Sequence, residues 1–264
     1  MIVCFSGTGN SLAVARRLAE ALGDEIVRID RRFYDRPVVA DAPERVVWVF
    51  PIYSWGVPPV VVRVIERIEN VAPGTPVWMV ATCGDDAGQA DAMWRRLVTA
   101  RGWTPMGVFT VTMPNTYVTL PGFDVDKPGV VRSKLEAMPR RVSQIAAAIA
   151  AGRPDVDIVR GSFAWLKTRV IYPWFIRHAM SPSRFGSSDA CVGCGACARV
   201  CPMMNIILRD RRPSWGDTCA FCLACYHVCP SHAVAYGRVT ASHGRYTDLL
   251  LSDGSKSVFE FKSN

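Results

Sequence analysis

The chain has 264 residues, half of them apolar, and a formal charge of +8 at pH 7. This length fits two domains, or one large domain with an attachment. Because there is no run of about 18 uncharged apolar residues and no basic leader with a cleavage site behind Met1, we expect neither a transmembrane segment nor a signal peptide.

The first 155 residues alternate short apolar runs with helical patterns. Five runs are continuously apolar, as buried parallel strands are: IVCF (2–5), EIVRI (25–29), RVVWVFPIY (45–53), PVWMVAT (76–82) and GVFTVTM (107–113). The first helical pattern between them, SLAVARRLAEALGD, ends at Gly23. This alternation predicts an α/β domain over residues 1–155, with a doubly wound five-stranded parallel sheet.

The loop SGTGNS, residues 6–11, follows the first predicted strand and precedes the first predicted helix. Ligands of such sheets bind at the carboxyl ends of strands, and a helix N-terminus favours an anion. We therefore expect a phosphate, held by side-chain donors and by backbone N–H groups at Ser6, Gly7, Thr8, Gly9, Asn10 and Ser11. The dinucleotide fingerprint fails because Leu12 replaces its third glycine, and no Gly-Lys-Ser/Thr completes a P-loop.

FSGTGNS resembles the FMN phosphate loop of flavodoxins, which is short, rich in hydroxyls and free of positive side chains. The resemblance implies FMN, and three later strand ends carry groups that could line its ring. They are Pro51, Tyr53, Ser54, Trp55 and Gly56, then Thr82, Cys83 and Gly84, then Asn115 and Tyr117. Aromatic faces suit stacking on a flat ligand. Tyr53 and Trp55 could equally pack against the next helix, but the phosphate loop favours the flavin.

Eight of the ten cysteines form two copies of the spacing C-x2-C-x2-C-x3-C-P. In bacterial two-cluster ferredoxins, the fourth cysteine of each such motif completes the cluster of the other motif. The spacing predicts one [4Fe-4S] cluster on Cys191, Cys194, Cys197 and Cys229, and a second on Cys219, Cys222, Cys225 and Cys201. Two zinc sites are the alternative, but zinc gains nothing from the third cysteine or the Cys-Pro ending.

The two cysteine motifs differ in the residues between their ligands. The first contains Gly193 and Gly195, whereas the second contains Phe221 and Leu223. Burial and hydrogen bonds to sulfur tune the potential of a cluster, so this difference predicts unequal potentials.

Residues 156–184 form a linker that contains SFAWLKTRVIYPWFIRHAM (162–180), which is aromatic, basic and interrupted by Pro173. It could lie on a membrane surface as an amphipathic stretch. We expect instead that it packs on the first domain, because it has many large apolar residues to bury. A ferredoxin domain of α+β class at 185–240 and a tail at 241–264 follow, with a hairpin expected around Asp253 and Gly254.

In this order, FSGTGNS, VFPIYSWGVP, CPMMNI, PSWGDTC and HAVAYGRVT resemble a family of flavodoxin-ferredoxin fusion proteins over residues 1–246. The resemblance implies a flavodoxin-like domain with an appended two-cluster ferredoxin, one FMN and two [4Fe-4S] clusters. Crowded metal-binding cysteines without an export signal predict a reducing cytoplasm. The basic charge does not indicate nucleic acid, because each bound cluster and the flavin phosphate would add about −2.

The sequence leaves three functions open. The first is an electron-transfer protein that links FMN and the clusters to a ferredoxin, a flavodoxin or another oxidoreductase. The second is a reductase of a small organic substrate, with Tyr53, Tyr117, Cys83 and Asp85 as candidate proton donors. The third is a redox sensor or binding module with an empty first domain, although the hydroxyls of the phosphate loop are all present. Electron transfer needs no further group and is our prediction, while enzyme activity and oligomeric state stay open.

Overall fold

A computed structural model describes residues 1–36, 40–120 and 122–247, so the hairpin expected around Asp253 and Gly254 lies outside the described residues. Six strands form one parallel sheet: β1 (Ile2–Cys4), β2 (Ile26–Arg28), β3 (Val46–Pro51), β4 (Pro76–Cys83), β5 (Thr104–Thr112) and β6 (Asp155–Asp157). Their order is β2-β1-β3-β4-β5-β6, which is the flavodoxin-like order with one strand added. The five predicted strands are confirmed.

The sixth strand corrects the predicted count of five. β6 has the sequence Asp-Val-Asp, is exposed throughout, and pairs with β5 through Val156 opposite Val108. An edge strand of this kind buries neither face, so no apolar run marks it in the sequence. Its carboxylates also protect the edge from pairing with another chain. Asp157 is held by Arg141, whose Nη1 donates to it at 2.5 Å.

Helices cover both faces of the sheet: α1 (Asn10–Leu22), α2 (Arg31–Asp35), α3 (Pro59–Arg67), α4 (Ala90–Ala100) and α5 (Pro128–Ala150). The α1 and α5 helices share one apolar core with the sheet, whereas α3 and α4 share the other. Because both faces are covered, Val46 to Phe50 of β3 are all buried, which explains the continuous apolar run. The α1 helix ends at Gly23, whose φ of +68° is tolerated because glycine has no Cβ.

A continuous helical stretch joins the sheet to the cysteine-rich part, and we call it the connecting helix. It consists of α6 (Ala164–Leu166), a wide π-helical turn (Lys167–Ile171), α7 (Tyr172–Trp174) and a second π-helical turn (Phe175–Ala179). The Tyr172 hydroxyl donates to the Val57 carbonyl at 2.6 Å, and the Thr168 hydroxyl to the Trp55 carbonyl at 2.7 Å. One face of the connecting helix therefore packs on the sheet domain. Throughout the described ranges, every helix is too short or too polar to cross a bilayer.

The cysteine-rich part consists of two small antiparallel sheets and two short helices. The pairs are β7 (Phe185–Ser187) with β10 (Val234–Tyr236), and β8 (Ile206–Arg209) with β9 (Arg212–Trp215). Each cysteine loop leads into a helix, α8 (Ala196–Val200) or α9 (Ala224–His227). Beyond them Tyr246 is fully buried, and its hydroxyl donates to Asn10 Oδ1 at 2.7 Å. The chain thus returns to the loop that precedes α1.

Gly56 gives a test of the connecting helix. A methyl group on Gly56 would meet the Tyr172 ring at 2.3 Å. We expect Gly56→Ala to lower the melting temperature, because overpacking of this kind costs about 1–3 kcal/mol. Gly129→Ala in α5 is the control, since its methyl group meets nothing within 4 Å and should leave the melting temperature unchanged or raise it. Anaerobic thermal unfolding followed by circular dichroism measures both, and an undisturbed Gly56→Ala protein would contradict the packing.

Candidate functional site

A cavity of about 420 Å³ lies at the carboxyl ends of β1, β3, β4 and β5. Most of the predicted flavin-site residues line it: Ser6, Gly7, Thr8, Asn10, Ser11, Pro51, Tyr53, Ser54, Trp55, Thr82, Cys83, Gly84, Asn115 and Tyr117. Gly9 and Gly56 do not. Gly9 precedes α1 with a φ of +95°, and Gly56 lies beneath Tyr172. The volume falls in the usual range for a small-molecule or cofactor site.

Three side chains of the loop 6–11 make hydrogen bonds within the protein, and the weakest is that of Thr8 Oγ1, which donates to Thr116 Oγ1 at 3.5 Å. Ser11 Oγ lies 2.7 Å from Thr82 Oγ1, and Asn10 Nδ2 donates to the Pro114 carbonyl at 3.0 Å. These contacts fix the shape of the loop. An anion there would rely on the hydroxyls of Ser6 and Thr8, and on the first N–H groups of α1, which a helix leaves without internal partners.

The turn after β3 is strained. Tyr53 and Gly56 exchange backbone hydrogen bonds of 3.0 and 2.9 Å, and between them Ser54 and Trp55 have φ of +42° and +64°. Such backbone conformations cost about 1–3 kcal/mol each outside glycine. The Trp55 carbonyl accepts the hydrogen bond from the connecting helix described above, and the Lys167 ammonium lies 5.0 Å from the Trp55 ring centroid. The connecting helix thereby holds Trp55 at the cavity.

Part of the cavity wall comes from regions that the sequence did not associate with it. Phe221, Cys222 and Leu223 of the second cysteine motif line the cavity, together with Ile171 and Phe175 of the connecting helix. Leu120, Phe123 and Thr116 contribute as well, and Asp86 does so next to Asp85, which the sequence analysis already names as a candidate proton donor. This wall could have been inferred from Phe221 and Leu223, because the second motif has these bulky residues at the positions where the first motif has glycines.

The loop 6–11 and the second cysteine motif are in van der Waals contact. A Cβ on Gly7 would lie 2.4 Å from Cys222 Cβ and 3.0 Å from Cys222 Sγ. Only a residue without a side chain fits between them. The loop 6–11 and Cys222 are therefore neighbours on the same cavity wall.

Tyr53 lines the cavity, and Cys222 and Cys219 of the second cysteine motif lie near it. Its hydroxyl oxygen is buried and has no hydrogen-bond partner among the residues that the structure describes. Burial first, and then the charges of Cys222 and Cys219 as thiolates, raise the pKa of Tyr53 well above its usual value. Its proton is thus retained at neutral pH, and an unsatisfied buried hydroxyl costs about 1–3 kcal/mol.

The eight motif cysteines form two groups in space. Cys191, Cys194, Cys197 and Cys229 line one small cavity together. In the other group, Cys201, Cys219 and Cys225 all raise the pKa of Cys222, which places the four thiols near one another. These are the two sets that the spacing predicts. The fourth cysteine of each motif, Cys201 or Cys229, lies with the first three cysteines of the other motif.

Both cysteine loops have the same backbone path. The φ values of +67° and +74° at Gly193 and Gly195 recur as +54° and +60° at Phe221 and Leu223. Backbone N–H groups point at sulfur, with Phe221 N donating to Cys219 Sγ at 3.3 Å and Asn205 N to Cys201 Sγ at 3.4 Å. Such donors stabilise negative sulfur.

The spacing of the thiols bears on the kind of metal group they suit. Within the described ranges, no three His, Cys, Asp or Glu side chains are arranged to hold a single metal ion. Zinc needs four sulfurs at about 2.3 Å from one point. The described thiols therefore do not present a zinc site of this geometry.

The two remaining cysteines are protonated thiols. Burial raises the pKa of Cys83 to about 12, with Asp86 and Asp85 acting in the same direction. Burial likewise raises the pKa of Cys4 to about 12, and Cys4 belongs to the core of the sheet domain. Asp86 is paired with Lys167 at 2.7 Å and accepts from Gly88 N at 3.1 Å. Cys83 is accordingly a lining group of the cavity.

Comparison with known proteins identifies the cysteine-rich part. Residues 190–234 match the family described as a 4Fe-4S dicluster domain. No curated protein matches the chain.

Three solved structures are similar to the chain at low identity. Azoreductase AzrA covers 56% of this chain and 99% of its own, at 13% identity and a TM-score of 0.37. An azoreductase from Bacillus anthracis str. Sterne covers 55% and 97%, at 13% identity and a TM-score of 0.37. An NAD(P)H:quinone oxidoreductase from Methanothermobacter marburgensis covers 55% and 95%, at 12% identity and a TM-score of 0.32. Likenesses of this size carry no argument about what this chain does.

The strand order and the family match together define the class of protein. A flavodoxin-like parallel sheet with helices on both faces is joined to a ferredoxin-type 4Fe-4S domain at residues 190–234. The chain is a redox protein of this two-part kind.

The crossed cysteine groups give a test by single substitutions. We expect Cys201→Ala to alter the EPR signal of the same cluster as Cys219→Ala, because the two thiols lie in one spatial group. Cys229→Ala should instead match Cys191→Ala, since both line the other small cavity. EPR spectra of the four reduced variants, normalised to iron content, make the comparison. A Cys201→Ala spectrum that matches Cys191→Ala would show that each motif holds its own cluster.

Proposed function

We propose that the protein is a flavo-iron-sulfur electron-transfer protein, in which FMN in the cavity is coupled to two [4Fe-4S] clusters and single electrons pass to or from a partner oxidoreductase. One observation carries the proposal: Gly7 of the loop 6–11 touches Cys222 of the second motif, and both line the same cavity. A ligand in this cavity would therefore lie next to a cluster bound by Cys222.

The cavity residues suit FMN. Ser6, Thr8 and the start of α1 would bind its phosphate, and Trp55 and Tyr117 would border its ring. Among the described residues that line the cavity there is no lysine or arginine, so the phosphate would be bound by neutral donors and the helix dipole. Bound FMN supplies the exchange of one or two electrons.

The two cysteine groups would act in sequence. Cys222 lines the cavity and Cys225 is buried, whereas Cys194 of the other group is exposed and Cys191 is half-buried. We infer that the cluster on Cys201, Cys219, Cys222 and Cys225 exchanges electrons with the cavity ligand, and that the other cluster exchanges them with the partner. The inner position keeps water from one cluster, and the outer position brings the other near the surface.

The chemistry of the partner follows from the surface around the first motif. Arg199 Nη1 donates to the Cys194 carbonyl at 2.8 Å, and Arg211 Nη2 to the Val192 carbonyl at 3.0 Å. Arg209 is exposed nearby in β8, and exposed Arg212 in β9 is paired with Asp189 at 3.1 Å. A basic surface of this kind attracts an acidic partner and raises the rate of encounter at low salt.

Cofactor content is the first test. Anaerobic purification should give about eight irons and one FMN per chain, because each cubane contains four irons. Stopped-flow mixing of the reduced protein then follows the flavin absorbance. Reoxidation by an acidic electron-transfer protein, and not by small organic acceptors, would support a carrier. Catalytic turnover of a small molecule would show that the protein is a reductase and not a carrier. Iron without flavin would overturn the proposal.

Tyr53→Phe tests the link between the cavity and the inner cluster. The Tyr53 and Tyr117 hydroxyls are both buried without a hydrogen-bond partner among the described residues, but only Tyr53 has Cys222 and Cys219 near enough to raise its pKa. A hydrogen bond from Tyr53 to sulfur would favour the reduced cluster. Its removal should lower the midpoint potential of one cluster by roughly 40–60 mV, which corresponds to about 1 kcal/mol for one electron. The potential of the other cluster should not move.

Tyr117→Phe is the matched control for this substitution. Tyr117 also lines the cavity, but it packs against Phe123 and Phe175, with ring centroids 5.4 and 5.6 Å away. We expect both cluster potentials to stay unchanged in Tyr117→Phe. EPR-monitored redox titration measures the two variants, and equal shifts in both would assign the effect to general packing of the cavity.

A further inference from the structure

The connecting helix presents an apolar and basic face to solvent. Trp165 is 61% exposed, Val170 50% and Trp174 51%, and Phe163 directly before the helix is 79% exposed. Single exposed apolar residues are ordinary, but several large ones on one helix face mark an interaction site.

The opposite face of the same helix is firmly attached. Thr168, Tyr172 and Phe175 are buried. In addition to its hydrogen bond with the Trp55 carbonyl, Thr168 Oγ1 accepts a hydrogen bond from Gln89 N at 2.8 Å. Phe175 packs edge-to-face on Phe221, with ring centroids 6.2 Å apart. The helix cannot turn its tryptophans inward without breaking these contacts, so the exposed face is a fixed feature of the fold.

The charge around this face has one sign. Residues 158–188 contain no aspartate or glutamate, but four arginines and one lysine. Arg160 pairs with Asp91, and Lys167 with Asp86. Arg169 and Arg177 are exposed on the helix itself and make no ion pair with any residue the structure describes. Their charge is available to a negative surface.

We propose that this face docks on the surface of a bilayer that contains anionic lipids. Tryptophan is favoured at the membrane interface, where its ring lies among the headgroups. An interfacial helix combines such side chains with arginines, and each basic residue near an anionic leaflet contributes about 1 kcal/mol. A protein partner of mixed charge would call for acidic residues among the exposed ones, whereas anionic lipids present one sign only.

Docking by this face would have a consequence for the cavity. Ile171 and Phe175 on the inner side of the connecting helix line the cavity, while Trp165, Val170 and Trp174 are on its outer side. The bilayer surface would therefore be separated from the cavity by the thickness of one helix. The proposal does not depend on which ligand the cavity binds.

Vesicle co-sedimentation of the full-length holoprotein tests the proposal. The protein should sediment with vesicles of phosphatidylcholine and phosphatidylglycerol, and much less with phosphatidylcholine alone. Binding should weaken at high salt, because the charge contribution is screened. Trp165→Ala/Trp174→Ala and Arg169→Glu/Arg177→Glu should each weaken binding by at least about tenfold, since each removes two interfacial contacts.

Matched controls separate this face from general effects. Arg17→Glu/Arg140→Glu changes the charge by the same amount at exposed positions in α1 and α5, and Ile207→Ala removes an apolar side chain that is 61% exposed. Both should bind vesicles like the wild type, and the absorption spectrum checks that every variant keeps its cofactors. Absence of vesicle binding, equal binding to both vesicle types, or equal loss in the controls would overturn the proposal. The proposal would also be overturned if the helix variants bind vesicles normally but lose binding to an acidic protein.

Discussion

The contact between Gly7 and Cys222 is the constraint on which the rest of the site depends. A side chain at position 7 would separate the loop 6–11 from the second cysteine motif, because even a Cβ would lie 2.4 Å from the Cys222 Cβ. With glycine there, the motif closes one side of the cavity that the strand ends begin. The cavity is thus completed by a part of the chain more than 200 residues away from its first loop.

Several contacts hold the two parts in this position. His227 Nε2 donates to the Thr116 carbonyl at 2.8 Å, while its Nδ1 accepts from Tyr246 N at 3.1 Å. Burial lowers the pKa of His227 to about 4, so the ring is neutral at neutral pH and can donate at one nitrogen and accept at the other. On the far side, Arg31 Nη1 donates to Thr218 Oγ1 at 2.6 Å. Buried polar contacts of this kind fix a geometry more than they add stability.

Of the eleven non-glycine residues with left-handed φ in the described ranges, four lie where the two parts meet. Ser54, Trp55, Phe221 and Leu223 all have left-handed φ values without being glycine, and all four line the cavity. In the first cysteine motif the corresponding positions are Gly193 and Gly195, which adopt the same path without a steric cost. The bulky residues of the second motif thus retain a strained backbone while their side chains build the wall.

The sequence by itself determined the elements whose signals are local. Buried parallel strands are apolar along their whole length, and the cysteine spacing is set by the reach of one short loop, so β1 to β5 and both cysteine motifs could be predicted from residue order. Exposed β6 carries no such signal, because an edge strand of Asp-Val-Asp buries no face. The contacts of Asn10 and Ser11 in the site could not be predicted from the sequence. Only folding brings these residues to Pro114, Tyr246 and Thr82.

Tertiary structure alone decided which surfaces meet. Phe221 and Leu223 form a cavity wall, Tyr53 lies near Cys222 and Cys219, and the connecting helix buries one aromatic face and exposes another. These outcomes depend on packing between segments far apart in the chain, and the energies of such contacts are not encoded in the periodicity of either segment.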